Sequence, residues 1–325
     1  MLRRYSGLVP YRFHLIAPSD LAFPWQLALA PLAIVQLTSA SAKFAPAAPQ
    51  LPPCPLIGIG PVDHPLAAHC DVRLDRAEDA APLIAAIKAH PHAAAVLVQL
   101  LRHIDGMAVE PALVAESLAY GLLQGGSEHG DWLARQVPAP AQPGGAVELN
   151  RRDDRLSIRI NRPHAHNAID RDLRDALREA FELAALDDSI TAVSLSGAGR
   201  AFCVGADLSE FGTTRDPAFA HAIRMATLPA HAIARCADRL HVHIHGACVG
   251  SGLEMAAFAA HITASRNAWF HLPELAMGLI PGAGGCVSLS RRIGRQRAAQ
   301  LILSGRRINV ATALDWGFVD TLVDD

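Results

Sequence analysis

From residue 156 onward, short apolar strands alternate with amphipathic helices, which leaves few folds open to this half of the chain. Leu156, Ile158 and Ile160 alternate with polar residues, the period of a half-buried strand. Asp170 stands where it can cap a helix whose buried stripe is Leu173, Leu177, Phe181 and Ala184. Thr191 to Leu195 reads as a second strand, ended by Gly197-Ala-Gly199, and Leu240, Val242 and Ile244 mark a third, ended by Gly246. Short strands are predicted at 261–264 and 268–270. Helices are predicted at about 283–293, 296–303 and 311–316, the second closed by Gly305. Strand pairs repeatedly followed by a helix point to an α/β fold.

Two Pro-rich stretches divide the rest. One runs from Pro46 to Pro61; the other is Val137-Pro-Ala-Pro-Ala-Gln-Pro-Gly-Gly145, and both read as extended linkers. The expected organisation is an apolar, Pro-rich extension and linker over 1–61, a small and mainly helical accessory module over 62–136, a linker over 137–146, and an α/β domain over 147–325. In the accessory module Asp71-Val-Arg-Leu could be a strand. Leu83, Ile84 and Ile87 have helical spacing, and Ala93 to Leu101 could be a buried strand or helix. Pro111 to Gln136 reads as helical with a break at Gly125-Gly126. No residue set in the module resembles a catalytic constellation, so its reading is packing or assembly. Arg3 and Arg4, the apolar stretch Leu27 to Leu37 and the small residues Ser39 to Ala42 have the outline of a signal peptide. Pro24 and Pro31 interrupt that stretch, and it is too short to span a bilayer. It reads instead as an accessory extension, or as an upstream addition to the native start.

Bulk properties narrow the function. With 325 residues, 51% of them hydrophobic, the chain can bury a large core and is not a disordered protein. A formal net charge of −2 gives no reason to expect nucleic acid as a partner, and no membrane partner is expected. The only lysines are Lys43 and Lys88, so nothing beyond them can supply a Schiff-base amine or a P-loop lysine. Six scattered cysteines without a C-x-x-C pair read as buried free thiols, consistent with a cytoplasmic protein.

Four segments carry chemistry. Arg200-Ala-Phe-Cys-Val-Gly-Ala-Asp207-Leu and His245-Gly-Ala-Cys-Val-Gly-Ser-Gly-Leu-Glu254 resemble the two oxyanion-loop motifs of the enoyl-CoA hydratase/isomerase (crotonase) superfamily. Phe270-His-Leu-Pro-Glu274-Leu-Ala-Met-Gly-Leu-Ile-Pro-Gly-Ala-Gly-Gly285 resembles its segment bearing a second acid. Asn161-Arg-Pro-His-Ala-His-Asn167-Ala resembles the opening motif whose backbone meets the CoA adenine. All four stand in family order over residues 148–325. The resemblance implies a repeated ββα spiral, an acyl-CoA thioester as substrate, no cofactor beyond the coenzyme A of that substrate, and a homo-oligomer, a trimer or hexamer.

Residue by residue, the resemblance makes the N–H groups of Ala206 and Ser251 the oxyanion donors and Glu254 and Glu274 the catalytic pair. It also makes His164, Ala165, His166, Val204, Gly205, Asp207, Leu208, Gly250 and Gly282 contacts for substrate or CoA. Two convergent N–H donors can hold the enolate of a thioester, commonly for about 3–4 kcal/mol per donor. Two carboxyl groups sharing one water can act as base and acid in a single addition, with Glu254 activating the water and Glu274 protonating the α-carbon. Taken alone, each glutamate would read as a helix N-terminal charge or a solvated loop residue; it is their joint presence in these motifs that points to catalysis. Glycine is usual where Ser251 stands; a nucleophilic serine is the sharper reading, but the G-x-S-x-G elbow is absent, with Val249 and Leu253 at its flanks. His241, His243 and His245 share one strand face and could suggest a metal, although the apolar residues between them describe an ordinary two-faced strand. Gly282-Ala-Gly-Gly285 lacks the strand context of a dinucleotide loop and reads as a close backbone approach to substrate.

The leading expectation is therefore an enoyl-CoA hydratase. The same fold could instead serve an isomerase or an aromatic acyl-CoA reaction, and a non-catalytic acyl-CoA-binding or assembly subunit is the alternative of another class. The sequence ends at Asp325, soon after Gly317-Phe-Val-Asp, where the family normally continues with helices that cap the acyl pocket. Glu116 to Gln136 has a pattern reminiscent of that tail. The module over 62–136 is accordingly expected to pack on the catalytic domain near Leu301 and Ala311.

Overall fold

The computed structural model describes residues 14–22, 30–137 and 142–324. The chain begins with β1 (His14–Ile16), β2 (Ala33–Gln36), α1 (Ser39–Ala42), β3 (Leu56–Ile59), β4 (Val72–Leu74) and four helices, α2 (Ala80–Ala89), α3 (Pro91–His103), α4 (Val109–Gln124) and α5 (Ser127–Ala134). It continues through β5 (Ala146–Arg152), β6 (Arg155–Asn161), α6 (Arg171–Leu186), β7 (Ala192–Gly197), α7 (Pro217–Thr227), α8 (Pro229–Arg235), β8 (Leu240–Ile244), β9 (Ala247–Val249) and α9 (Ser251–Ala256). Last come β10 (His261–Ser265), β11 (Trp269–His271), α10 (Gly285–Ile293), α11 (Arg295–Ser304), β12 (Ile308–Asn309), α12 (Val310–Asp315) and β13 (Thr321–Val323).

The larger sheet has the order β13-β10-β8-β7-β6-β5 and is parallel except for the β5–β6 hairpin. Its register aligns Ile158, Leu195, Val242 and Ile262 across four strands, so one apolar row runs through the sheet. Asp170 accepts from Leu173 N at 2.9 Å and starts α6, whose Leu173, Leu177, Phe181 and Ala184 are buried as their spacing requires. A smaller sheet, β12-β11-β9, stands at the edge of the site, and Gly305 closes α11 in the left-handed conformation. All six cysteines are free and buried.

The N-terminal region departs from its expected boundaries. Residues 1–61 are not simply an extension and linker, because β1, β2 and β3 join β4 in a four-stranded parallel sheet. Both faces of that sheet are covered. Ile34, Ile57 and Val72 belong to the main core, whereas Ala33, Val35 and Leu56 pack with Leu21 and Leu66 in a second cluster. A strand buried on both faces shows no alternation, which is why β3 is hidden inside the Pro46–Pro61 stretch. Ala93 to Leu101 is helical, as part of α3, and the Gly125-Gly126 break separates α4 from α5. Arg3, Arg4, Pro24 and Leu27, and residues 138–141 of the second linker, lie outside the described residues.

The region up to 136 does not stand apart from the rest. Leu83, Ile84, Leu97 and Leu101 share one core cluster with Leu301 and Ile302 of α11. Buried Asp71 accepts from Arg102 Nε of α3 at 2.8 Å and from Arg295 Nη1 of α11 at 3.2 Å. Gln296 donates to the carbonyls of Ala67 and Cys70 at 2.7 and 2.9 Å. Ala311, by contrast, is exposed. Removing residues 1–144 would uncover α10 and α11, at a cost of roughly 1.5–3 kcal/mol for each large apolar side chain exposed. A fragment spanning 145–325 is expected to be insoluble or to lose cooperative unfolding in a urea titration; a soluble fragment with the full-length melting temperature would show that the two halves are independent.

Candidate active site

The site begins where two loops run side by side. Beyond β7, residues 201–203 lie against β8 and β9: Phe202 N donates to His245 O at 2.9 Å, Cys203 N to Ala247 O at 3.1 Å, and Val249 N to Cys203 O at 2.9 Å. The contact is close enough that a Cβ on Gly252 would meet Cys203 Cβ at 2.6 Å. Buried Asn167, at φ 60°, ties the opening motif to this loop, because its Nδ2 donates to the carbonyls of Ala198, Ala201 and Phe202 at 2.8, 2.8 and 3.1 Å. Arg162, also buried, pairs with Asp207 at 2.7 Å and anchors the far end of the loop.

Ala206 lies on this loop and Ser251 opens α9. Neither N–H donates to any described residue. Ser251 has ordinary helical backbone, so a residue with a side chain is accommodated where glycine is usual. Its Oγ is buried and without a partner among the described residues.

Glu254 sits in the first turn of α9, 3% exposed, and its Oε2 accepts from Ala283 N at 2.7 Å and Gly285 N at 2.9 Å. Burial pushes its carboxyl up to about 7, against the pull of those two donors. Glu274 begins the short 3-10 turn after β11, and its Oε2 is buried with no described partner. Burial first, and then the charge of Glu254, hold its carboxyl well above the usual range.

Both glutamates, Ala206 and Ser251 line one cleft of about 640 Å³. Val204, Gly205, Asp207, Leu208, Gly250 and Gly282 also stand on its wall. His164, Ala165 and His166 do not: they form a turn outside the cleft, where His164 Nε2 donates to Pro143 O at 2.9 Å. His241 and His243 lie on the exposed face of β8, and His245 donates from Nε2 to Gly199 O at 3.0 Å.

The N-terminal module, expected to serve packing or assembly, also contributes to the wall of the cleft. Tyr120, Gln124 and His129 line the cleft, and Gly282 is packed so tightly on Tyr120 that a Cβ there would meet the ring at 2.3 Å. His129 Nδ1 donates to Met277 O at 2.9 Å, docking α5 on the turn that carries Glu274. Glu116 of α4 is 1% exposed. Its Oε1 accepts from Gly284 N at 2.7 Å, and its Oε2 from Cys286 N and Val287 N at 2.8 and 3.3 Å. Burial and the charge of Glu254 push Glu116 up to about 8, opposed by the three N–H donors. One signal could have found it: Ala112, Leu113, Glu116 and Leu123 form a helical apolar stripe with a carboxylate inside it.

The profile of the family Enoyl-CoA hydratase/isomerase matches residues 154–325, and the chain belongs to that family. Mevalonyl-coenzyme A hydratase SIDH of Beauveria bassiana is 34% identical over 182 residues, covering 52% of this chain and 64% of its own length. 1,2-Epoxyphenylacetyl-CoA isomerase of Escherichia coli is 31% identical, covering 52% of this chain and 66% of that enzyme. The chain thus spans just under two thirds of the length of these curated relatives. A solved enoyl-CoA hydratase/isomerase structure from Mycobacterium abscessus is 35% identical with a TM-score of 0.51, over 56% of this chain and 71% of that one. The family fold, a crotonase-like α/β spiral, is therefore the fold of the C-terminal half.

Glu116→Ala would leave the buried N–H groups of Gly284 and Cys286 without an acceptor, while Val287 N keeps its bond to Gly284 O. At about 1–3 kcal/mol for each unsatisfied group, the variant is expected to lose several kcal/mol in a urea titration. Any turnover in the cleft should fall as well, since the turn carrying the Glu254 donors is released. Unchanged stability and turnover would show that α4 is a passive neighbour.

Proposed function

We propose that the protein is a hydro-lyase that adds water across the 2,3 double bond of an enoyl-CoA thioester. What carries this reading is the convergence of two buried carboxyl groups and two undonated N–H groups on one cleft. The thioester oxygen would sit on the N–H groups of Ala206 and Ser251, the latter at a helix start whose dipole favours negative charge. Glu254 would take a proton from water while the water oxygen bonds to C3 and the C=C electrons move onto the thioester oxygen as an enolate. Collapse of the enolate would take the Glu274 proton onto C2, leaving Glu254 protonated and Glu274 ionised, and exchange of one proton with solvent would restore both. A carboxyl held near 7 is a base of useful strength at neutral pH, and one held higher is a proton donor there. CoA enters only as part of the substrate.

A second reading rests on Glu254 being tied to two backbone donors while Glu274 is not. A single mobile carboxyl suffices to carry a proton between C2 and C4, the chemistry of an isomerase. Loss of the conjugated absorbance of crotonyl-CoA supports hydration; its appearance from a 3-enoyl-CoA, with no hydration, supports isomerisation.

Under the hydratase reading, Glu254→Gln and Glu274→Gln should each reduce turnover by about 10²–10⁴-fold while CoA-ester binding persists. Because Glu254 works ionised, turnover should rise as pH passes through about 7. Because Glu274 works protonated, turnover should fall at higher pH. Near-normal turnover in either variant, or a rate that is flat from pH 6 to 8, would remove water addition by this pair.

Ser251 separates backbone from side chain. Ser251→Ala keeps the N–H and should keep most activity, whereas Ser251→Pro removes the donor and should abolish it. An inactive Ser251→Ala, together with an acyl-serine adduct by mass spectrometry, would replace this mechanism with a hydrolase.

A further inference from the structure

We infer that the cleft binds an acyl chain that carries a second carboxylate, and that Arg224 on its wall is the group that receives it. The inference rests on the enoyl-CoA reading above and names its substrate class.

Arg224 stands on α7, half-buried, on the cleft wall. Its partners are all neutral: Nε donates to Ser117 Oγ at 2.9 Å, Nη2 to Ser117 O at 3.0 Å, and Nη1 to Gln124 Oε1 at 3.0 Å. The guanidinium also lies over the Tyr120 ring, 4.7 Å from its centroid. Among the described residues no carboxylate forms an ion pair with it, in contrast to Arg162 and Arg292, whose side chains are 2% and 10% exposed and each hold an aspartate. Glu116 is near enough for its charge to be felt at Arg224, but both its oxygens are held by the 284–287 turn. A guanidinium has five N–H groups in a planar fork, and three suffice for these bonds, so donors remain for an anion. A partly desolvated cation without a counter-charge is costly unless a ligand supplies one.

Position decides what the anion is attached to. Tyr120 touches both Arg224 and Gly282, and the next residue, Ala283, holds Glu254 through its N–H. The guanidinium is thus one aromatic ring away from the backbone that holds the proposed base. With the thioester oxygen on Ala206 and Ser251 and C3 beside Glu254, an acyl chain would run on past Glu254, toward the side where Tyr120 and Arg224 stand. Tyr120 lines the same cleft, and its hydroxyl is of a kind that can donate to a carboxylate.

The test compares hex-2-enedioyl-CoA with hex-2-enoyl-CoA, which differ at the terminal carbon. The full-length protein should show a kcat/KM at least about tenfold higher for the diacid ester, since a charge-assisted contact is commonly worth about 1.5–3 kcal/mol. In Arg224→Gln the ratio of the two kcat/KM values should fall by about 10–100-fold, whatever happens to turnover itself, while Arg224→Lys should keep much of the preference. Titration calorimetry with the saturated esters adipyl-CoA and hexanoyl-CoA reads the same preference without chemistry. If the protein hydrates neither substrate but still prefers adipyl-CoA, the hydratase reading fails and the carboxylate site stands. Equal affinity for the two esters overturns the inference. So does an unchanged ratio in Arg224→Gln with parallel loss on both substrates, which would leave Arg224 only as a clasp for α4. A loss seen with CoA esters of both kinds but absent with N-acetylcysteamine thioesters would assign the anion to the CoA phosphates and overturn it as well.

Discussion

The site depends on a turn, residues 283–287, whose N–H groups are shared between two buried carboxylates from opposite halves of the chain. Ala283 and Gly285 donate to Glu254 of α9, while Gly284, Cys286 and Val287 donate to Glu116 of α4. A helix start leaves its first N–H groups without intrahelical acceptors, so the beginning of α10 can serve both acids at once. Each acid fixes the turn for the other. Burial raises both carboxyls, and the charge of Glu254 raises Glu116 further, so the two sit near neutrality where an exposed glutamate would be fully charged. The N-terminal module is in this sense part of the site electrostatics, although it carries none of the motifs.

The glycines around the site follow from the same crowding. Gly285 has Glu254 Cγ where its own Cβ would be, at 2.5 Å, and Gly282 has the Tyr120 ring there. Backbone that must pass this close to a carboxylate or a ring has room only for hydrogen at Cα. Placing three carboxyl groups in one buried region is expensive, and the continuous core from Leu83 through Leu301 provides the rigidity that keeps them there. Asp71, held by Arg102 and Arg295, and His129, held by the Met277 carbonyl, tie the same two halves at other points.

Much of the site could be read from the chain because its parts are local. The loops carrying Ala206 and Ser251, the first-turn position of Glu254 and the turn bearing Glu274 each occupy one short segment, and α6 announces itself by its cap and stripe. The strands at 14–16, 33–36 and 56–59 gave no such signal, since a parallel strand covered on both faces has no alternation to detect. The helices at 217–227 and 229–235 also went unread, and with them Arg224. Glu116 and Tyr120 look like ordinary residues of an apolar helix until that helix is laid across α10. His164 to His166 match by motif alone and stand on a turn outside the cleft.

By itself the sequence determined the α/β character of the C-terminal half, its family, and which segments can offer N–H donors and carboxyl groups. These are properties of short-range pattern: periodicity, caps, and glycines at fixed spacing. Tertiary structure decided which groups share an environment. Residues 168 to 171 positions apart in the chain meet at the 284–287 turn, and ionisation depends on that company and on exclusion of water rather than on residue type. It likewise decided that the cleft is walled by both halves of the chain, because a helix can show which face it buries but not what it buries it against.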